Sequence, residues 1–236
     1  MRFHTLVCDY DGTLAHHGIL KQSTAAALDK FRSAGGRLLM VTGRELPDLK
    51  SVCGVLDKFE VIVAENGALI YRPRDGSSAL LCAPASAELA QRLAQVGAQP
   101  LSVGQAIVAT REPYEKIALN VIKQLGLELQ IIFNKGAVMI LPTGVNKATG
   151  LATALSSMNI AAENVTAVGD AENDHALLSM CGLGVAVSNA VPTLKETADV
   201  VTKGARGDGV VELIERLLAD EFADLAVRPN VPTVVR

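Results

Sequence analysis

The sequence has few aromatic residues, with three Tyr, five Phe and no Trp among 236 residues. This scarcity argues against a surface on which nucleobases or sugar rings stack. The sequence also lacks an excess of positive charge, since 22 basic and 25 acidic residues give a formal net charge of -3. Without a basic surface, binding to a nucleic-acid backbone or to anionic lipid is not expected. Composition therefore disfavours nucleic acid and membrane as partners.

Cysteine motifs and long apolar runs are also missing. The four cysteines lie far apart and form no CxxC pair, and no His-rich segment accompanies them, so a zinc site is not expected. The longest run of apolar residues and Gly covers residues 180–187, well short of the ~18 residues that a membrane-spanning helix needs. The sequence starts without a signal-peptide pattern. These absences favour a soluble protein of the reducing cytoplasm.

The remaining composition, 49% hydrophobic and 20% charged, is typical of a globular protein. The length exceeds the ~100 to 200 residues usual for one domain, which predicts either an insertion or two small domains. Apolar runs at residues 3–8, 37–41 and 61–64 predict buried strands. A helix is expected at residues 24–34, with Ser23 as its N-cap, and another helix after Pro47. This alternation predicts an α/β fold with a parallel sheet.

The pattern changes after Tyr71. Helices are predicted at residues 84–96 and 113–125, and strands at 105–110, 129–133 and 137–141. A tight turn at residues 134–136 joins the last two strands, which must then be antiparallel. The parallel pattern resumes with a helix from Lys147 and a strand at 165–168. We therefore expect an α+β insertion at 83–142, a core formed by 1–82 and 143–225, and a tail or linker at 226–236.

Acidic side chains follow two of the predicted parallel strands. Asp9 and Asp11 come directly after the first strand, and Asp170 and Asp174 lie in the segment GDAEND after a later one. The carboxyl ends of parallel strands open on one edge of a sheet. Carboxylates without His or Cys are typical ligands of Mg²⁺ and not of zinc. The alternative interpretation is that Asp11 and Gly12 only form a polar turn.

Hydrogen-bond donors are expected at the same edge. Thr42, in the segment VTGR after the second strand, offers a hydroxyl and a backbone N–H. Lys147 offers a positive charge, and Asn173 a side-chain amide. All are suited to phosphate oxygens. The edge of the sheet is therefore predicted to bind a phosphate group beside a metal ion.

Three further residues, Gly43, Arg44 and Asn66, are weaker candidates for phosphate or substrate binding. Gly43 and Arg44 continue the VTGR segment, and Arg44 could reach the phosphate, although an Arg after a strand is commonly solvated. Asn66, at the end of the third strand, is a candidate substrate contact or hinge, unless Asn66 and Gly67 only form a turn.

The ordered segments resemble the four motifs of the haloacid dehalogenase superfamily. These segments are DYDGTL at residues 9–14, VTGR at 41–44, Lys147, and GDAEND at 169–174. The segment ENGA at 65–68, the insertion between the second and third motifs, and GVAVSNA at 184–190 look like those of Cof-type, class IIB phosphatases. The resemblance covers residues 3–218.

The resemblance implies a Rossmann-like parallel-sheet core with a small inserted cap that covers the active site. It also implies an Mg²⁺-dependent reaction through an aspartyl-phosphate. Asp9 would be the nucleophile, and Asp11 would act as general acid and base while its backbone carbonyl helps to bind the metal. The metal ligands would be Asp9, Asp11, Asp170 and, directly or through water, Asp174.

These expectations lead to a function. We expect a phosphatase that hydrolyses a small phosphomonoester, such as a sugar phosphate or a phosphoglycolate-like molecule. Two alternatives stay open, namely a sugar phosphomutase of the same superfamily and a non-catalytic module that binds phosphate. The sequence does not decide between a monomer and a homodimer.

Overall fold

The computed structural model describes residues 2–223 and residue 225. The predicted tail or linker at 226–236 lies outside the described residues. Within the described part of the chain, no helix is both long and apolar enough to cross a membrane.

The elements follow one another along three parts of the chain. The first part contains β1 (Thr5–Cys8), β2 (Ala15–His16), β3 (Ile19–Leu20), α1 (Gln22–Ser33), β4 (Arg37–Val41), α2 (Leu46–Val52), β5 (Val61–Ala64), β6 (Leu69–Arg72) and β7 (Ser77–Leu80). The second part contains α3 (Ala87–Gln95), β8 (Ser102–Val103), β9 (Val108–Arg111), α4 (Glu115–Leu125), β10 (Leu129–Asn134) and β11 (Ala137–Pro142). The third part contains α5 (Lys147–Ser157), β12 (Val165–Gly169), α6 (His175–Met180), β13 (Leu183–Ala186), α7 (Pro192–Thr197), β14 (Val200–Val201) and α8 (Gly207–Leu218).

The main sheet combines the first and third parts of the chain. Its strand order is β14-β13-β12-β1-β4-β5-β6-β7. The strands from β14 to β5 are parallel, as predicted, whereas β6 and β7 add antiparallel pairs at one side. Because β12 pairs with β1 and β1 with β4, the ends of these three strands lie side by side.

Helices cover both faces of the main sheet, because successive side chains of a strand point to opposite faces. In β1, Leu6 belongs to the cluster formed with α1, α2 and α8, while Val7 belongs to the cluster formed with α5, α6 and α7. Both side chains have no exposed surface. A fully apolar strand such as β1 is therefore expected at the centre of a three-layer α/β/α arrangement.

The inserted segment forms an antiparallel sheet of its own, in the order β10-β11-β9-β8. One face of this sheet packs against α3 and α4 through residues such as Val108 and Ile140, and the opposite face carries Ile107 and Met139 towards the core. The predicted hairpin is confirmed, with Asn134 paired to Ala137. The predicted α/β fold with an inserted α+β cap is thus confirmed, while the boundaries at 83 and 142 stay predictions.

Some local predictions were wrong. The first helix starts at Gln22 and not at residue 24, with Lys21 as its N-cap and no side-chain capping bond, so Ser23 is not the cap. The predicted strand at 105–110 runs over Val108–Arg111 instead. Residues 105–107 do not pair in the cap sheet with their N–H groups. These groups donate hydrogen bonds to the Glu65 carboxylate of the core instead.

Candidate active site

The polar segments predicted at strand ends meet at one edge of the main sheet. Asp9 follows β1, Thr42 follows β4, and Asp170 follows β12. The backbone N–H of Asp9 donates to the carbonyl oxygen of Val168 at 3.0 Å, which continues the pairing of β1 with β12 past the strand end. The parallel register therefore holds the first and fourth motif segments side by side.

Three carboxylates and one ammonium form a buried cluster at this edge. One ligand oxygen from each of Asp9, Asp170 and Asp174 lies within 4.8 Å of the others. The Lys147 Nζ lies 2.6 Å from Asp9 Oδ1 and 2.6 Å from Asp174 Oδ1. All four residues are buried, with Lys147 only 1% exposed. A Lys at this depth is tolerated because both carboxylates pair with it.

Two features orient the loop after β12. The Oδ2 atom of Asp174 accepts hydrogen bonds from the backbone N–H groups of Asp170 at 2.9 Å and of Ala171 at 3.0 Å. Gly12 has a φ of +81° and lies so close to Asp170 that a Cβ would overlap its carboxylate. Only glycine fits this position, because the backbone is left-handed and the loop after β12 leaves no room for a Cβ.

The cluster is short of positive charge. Burial raises the pKa of Asp9 well above its ordinary value, the Lys147 ammonium opposes the shift, and the Asp174 and Asp170 carboxylates add to it. Burial likewise raises the pKa of Asp170. At Lys147, burial lowers the pKa, but Asp174 and Asp9 more than offset that effect, so the amine stays protonated. Additional positive charge would stabilise the ionised carboxylates.

Lys147 is fixed by the start of α5. Asn146 is the N-cap, and its side chain accepts the N–H of Thr149 at 3.0 Å while the Thr149 hydroxyl accepts the N–H of Asn146. Gly67, after β5, packs against this turn, since a Cβ there would overlap the carbonyl of Asn146. The capping box and this close contact place Lys147 in the first turn of α5, under the acidic cluster.

Asp11 and Arg44 form a second charged pair beside the cluster. The Arg44 Nε donates to Asp11 Oδ2 at 2.5 Å, and its Nη2 donates to Asp11 Oδ1 at 2.7 Å. A third donor, Nη1, lies 2.5 Å from Asp48 Oδ2. Arg44 is therefore half-buried and paired with two carboxylates, one of which belongs to the predicted general acid. Its predicted contact with a phosphate stays a prediction.

Thr42 contributes one donor fewer than expected. Its backbone N–H donates to the carbonyl oxygen of Val63 at 2.8 Å, so the predicted use of that N–H for phosphate is wrong. Its buried hydroxyl accepts the backbone N–H of Arg44 at 3.1 Å and retains its own proton to donate. The neighbouring Gly43 faces the cap, because a Cβ there would lie 3.3 Å from Met139 Sδ.

Asn66 and Asn173 contact each other beneath the cap. The Asn173 Nδ2 donates to Asn66 Oδ1 at 2.8 Å. The remaining amide atoms, Asn66 Nδ2 and Asn173 Oδ1, are buried without a hydrogen-bond partner, as is Asp170 Oδ1. Unpartnered polar atoms are rare in a protein interior, so three of them around one acidic cluster indicate a place for a ligand.

Other residues of the site were not among the predicted site residues. Lys135, in the cap hairpin, contacts Asp170 with its Nζ. Asn189 donates from Nδ2 to the carbonyl oxygen of Gly12 at 2.8 Å and to Asp170 Oδ2 at 3.2 Å. The signal for Asn189 was its place just after β13, the next strand of the parallel set. Lys135 lies in the predicted turn of the cap hairpin, and its contact with Asp170 was not predicted.

Comparison with known proteins agrees with this arrangement. The family model of the haloacid dehalogenase-like hydrolases matches residues 6–100 and 95–214. The chain belongs to the haloacid dehalogenase-like hydrolase family. The predicted resemblance to this superfamily is thereby confirmed, and with it the prediction of a hydrolase.

Relatives within the family extend over nearly the whole chain. Phosphoglycolate phosphatase 2 of Saccharolobus solfataricus is 31% identical over 91% of this chain and 92% of its own length. A phosphoglycolate phosphatase of Methanosarcina acetivorans is 28% identical over 92% of this chain and 97% of its own. These relatives support the prediction of a phosphatase within the haloacid dehalogenase-like family.

Solved structures of the family share the fold. A HAD/COF-like hydrolase from Plasmodium vivax matches with a TM-score of 0.79 at 21% identity and covers 92% of this chain and 96% of its own. The HAD subclass IIB sugar phosphatase BT4131 matches with a TM-score of 0.70 at 19% identity and covers 90% and 98%. These structures confirm the predicted fold, a parallel-sheet core with an inserted α+β cap.

Proposed function

We propose that this haloacid dehalogenase-like protein is a phosphatase that hydrolyses a small phosphomonoester with Asp9 as nucleophile and Mg²⁺ as cofactor. The observation that carries the proposal is the position of Asp9. Its carboxylate follows the C-terminal end of β1, lies 2.6 Å from the buried Lys147 ammonium, and has an oxygen within 4.8 Å of oxygens of Asp170 and Asp174. A carboxylate so placed can attack phosphorus where positive charge holds the phosphoryl oxygens.

The residues present fit a magnesium ion. Asp170 Oδ1 is buried and has no hydrogen-bond partner, and the group around it is made of carboxylates, the hard oxygen donors that Mg²⁺ prefers. Both oxygens of Asp174 already accept protein donors. Asp9 and Asp170 would therefore hold the ion, with the Asp11 carbonyl and Asp174 contributing as the family resemblance implies. When bound, the ion supplies positive charge that offsets repulsion between the carboxylates and the phosphate.

The protein groups then divide the chemistry between two steps. In the first, an Asp9 oxygen bonds to phosphorus, the bond from phosphorus to the leaving oxygen breaks, and Asp11 gives that oxygen a proton. In the second, Asp11 takes a proton from water, the water oxygen bonds to phosphorus, and the Asp9–phosphorus linkage breaks. Lys147 and the Thr42 hydroxyl would hold the phosphoryl oxygens. Arg44 donates two hydrogen bonds to Asp11 and would thereby position its side chain for both proton transfers.

The substrate is proposed to be a small phosphorylated metabolite. Two relatives are named phosphoglycolate phosphatases, and one similar structure is named a sugar phosphatase. These names favour hydrolysis over transfer of the phosphoryl group to a second sugar hydroxyl. The short distance between Gly43 and Met139 also leaves little room for a large leaving group under the cap.

Hydrolysis of an aryl phosphate tests the proposal directly. We expect activity that requires Mg²⁺, is abolished by a chelator, and is lost in Asp9→Asn. The matched control is Asp29→Asn, since Asp29 pairs with Lys58 away from the acidic cluster. In acid-quenched samples, the intact mass of wild type but not of Asp9→Asn should increase by one phosphoryl group. Full activity in chelator or in Asp9→Asn would refute the mechanism.

A further inference from the structure

The cap supplies a cation to the active site through the turn of the β10–β11 hairpin. Lys135 occupies this turn with a φ of +45°. Its backbone N–H donates to Glu172 Oε2 at 3.0 Å, and its Nζ contacts Asp170 Oδ2. Glu172 and Asp170 belong to the same core loop. Two contacts to this loop, one from the backbone and one from the side chain, thus fix the hairpin turn over the site.

Lys135 differs from the cations that the core supplies. Lys147 and Arg44 each contact two carboxylates, and their charges are thereby engaged within the core. In the described part of the chain, the Lys135 ammonium contacts a single carboxylate, that of Asp170. Its side chain is 40% exposed, whereas Asp170 is fully buried. Lys135 is therefore the cation of the site that can exchange its partner most readily.

The partner of Lys135 is also a proposed ligand of the metal. A divalent cation on Asp170 would repel the Lys135 ammonium, because like charges a few ångströms apart are destabilising. The Lys135 backbone would still be held by Glu172, while its four-carbon side chain can turn towards another anion. With the metal bound, the Lys135 ammonium would therefore lose Asp170 as its partner but stay at the cap side of the site, because its backbone is bound to Glu172.

The leaving group of the substrate would lie on that same side. An in-line attack by Asp9 on phosphorus would direct the leaving oxygen away from Asp9, towards the space beneath the cap. The cap face that packs towards the core is apolar near Ile107 and Met139. A charge at the far end of the leaving group would therefore be stabilised at the hairpin turn that carries Lys135.

We propose that Lys135 determines substrate specificity by binding a carboxylate on the leaving group, so that the preferred substrate is a small phosphomonoester with a second, carboxylate, charge. This inference rests on the proposed phosphatase function and narrows its substrate class. Lys116, another basic residue of the inserted segment, serves as the control. It lies on α4, and that helix packs on the opposite face of the cap sheet.

A matched pair of substrates isolates the contribution of the carboxylate. 2-Phosphoglycolate and 2-hydroxyethyl phosphate have nearly the same size, and only the first carries a carboxylate. We expect Lys135→Ala to lower kcat/KM for 2-phosphoglycolate by about 10- to 100-fold, as for loss of one hydrogen bond to a charged group, and to leave 2-hydroxyethyl phosphate nearly unchanged. Lys135→Arg should retain most of the preference, and Lys116→Ala should change neither substrate.

Binding measurements separate this inference from the proposed function. Calorimetry with Asp9→Asn, and with the same variant carrying Lys135→Ala, should show weaker binding of 2-phosphoglycolate when Lys135 is absent, without any turnover. Equal losses on both substrates, or no loss on either, would overturn the specificity role of Lys135. Failure of wild type to hydrolyse any of the three esters, 2-phosphoglycolate, 2-hydroxyethyl phosphate and the aryl phosphate, would instead refute the phosphatase.

Discussion

Lys147 and Asp9 are 138 residues apart in sequence, yet the Lys147 Nζ lies 2.6 Å from Asp9 Oδ1. The same ammonium lies 2.6 Å from Asp174 Oδ1, so one buried cation joins the first and fourth motif segments. Helix α5 brings it there, directly after the cap returns the chain to the core. The pair therefore joins the proposed nucleophile to a buried residue of helix α5.

Lys147→Met should reduce both activity and stability. Met matches the length of Lys but leaves two buried carboxylates without their cation. We expect the free energy of unfolding in chelator to fall by about 3–5 kcal/mol, the usual cost of breaking a buried pair, and kcat to fall by about 10²- to 10³-fold. Denaturant titration and the aryl phosphate assay measure the two effects.

A second substitution distinguishes the charge effect from lost packing. Adding Asp174→Asn to Lys147→Met removes one of the two uncompensated carboxylates and should recover part of the stability but none of the activity. Lys195→Met, on α7, is the surface control and should change neither. If the double variant is no more stable than Lys147→Met, the loss is one of packing and not of charge.

Arg44→Ala should reduce kcat more than it changes KM. Arg44 holds Asp11 by two N–H donors at 2.5 and 2.7 Å, which fixes the proposed general acid and base. Loss of this positioning should lower kcat by about 10- to 100-fold, as for one or two charge-assisted hydrogen bonds. Arg44→Lys should be intermediate because its single ammonium cannot form the two-point contact. Arg32→Ala, on α1, is the control; a pure KM effect of Arg44→Ala would assign Arg44 to substrate binding.

The acidic and hydroxyl residues of the site could be predicted because each is marked by its position in the sequence, directly after a buried strand. Asp9, Thr42 and Asp170 each follow a buried strand, and the rule for parallel sheets brings such strand ends together. Lys147, which opens a helix after the insertion, was predicted as a positive charge at the same edge and as one of the ordered motifs. Its pairing with Asp9 and Asp174 depends on the packing of α5 against the loop after β5, which no local pattern shows.

The contribution of the cap could not be predicted in the same way. Whether Lys135 reaches Asp170 depends on how an antiparallel sheet docks on a separate parallel one. Similarly, residues 105–107 were predicted as strand, but their N–H groups are used by Glu65 across the connection between cap and core. The edge strand β7 begins with the exposed Ser77 and lacks an apolar pattern, so its pairing with β6 was also missed.

The acidic cluster should make stability depend on pH and on magnesium. Burial raises the folded-state pKa of Asp170, so its contribution to stability is present below the unfolded pKa of ~3.9 and is lost as pH rises through the raised folded pKa. In chelator, wild type should lose stability across this window, and Asp170→Asn should lose less. Mg²⁺ at ~100 times its dissociation constant should add about 2.7 kcal/mol to wild type at neutral pH, and much less to Asp170→Asn.

Thermal unfolding at several pH values, with and without Mg²⁺, measures this effect. The surface variant Asp75→Asn serves as the control for adding an amide in place of an exposed carboxylate. Parallel pH curves for wild type and Asp170→Asn, together with equal stabilisation by Mg²⁺, would contradict both the raised pKa and the proposed metal site.

Glu65 should control how firmly the cap is held on the core. Its buried carboxylate accepts the N–H groups of Gln105 at 3.0 Å, Ala106 at 2.8 Å and Ile107 at 3.1 Å. Glu65→Gln replaces one acceptor oxygen by an amino group, which cannot accept from an N–H. We expect the free energy of unfolding to fall by about 1–3 kcal/mol and the amides of residues 105–107 to exchange hydrogen faster. Glu88→Gln, exposed on α3, should affect neither.

The kinetic effect of Glu65→Gln should differ from that of Lys135→Ala. A loosened cap weakens every interaction that depends on closure, so kcat/KM should fall by a similar factor for 2-phosphoglycolate and 2-hydroxyethyl phosphate. Lys135→Ala should discriminate between the two, because it removes one charge and leaves the Glu65 contacts intact. Selective loss on 2-phosphoglycolate in Glu65→Gln would mean that Glu65 acts by placing Lys135, and the two substitutions would then fail to add in a double variant.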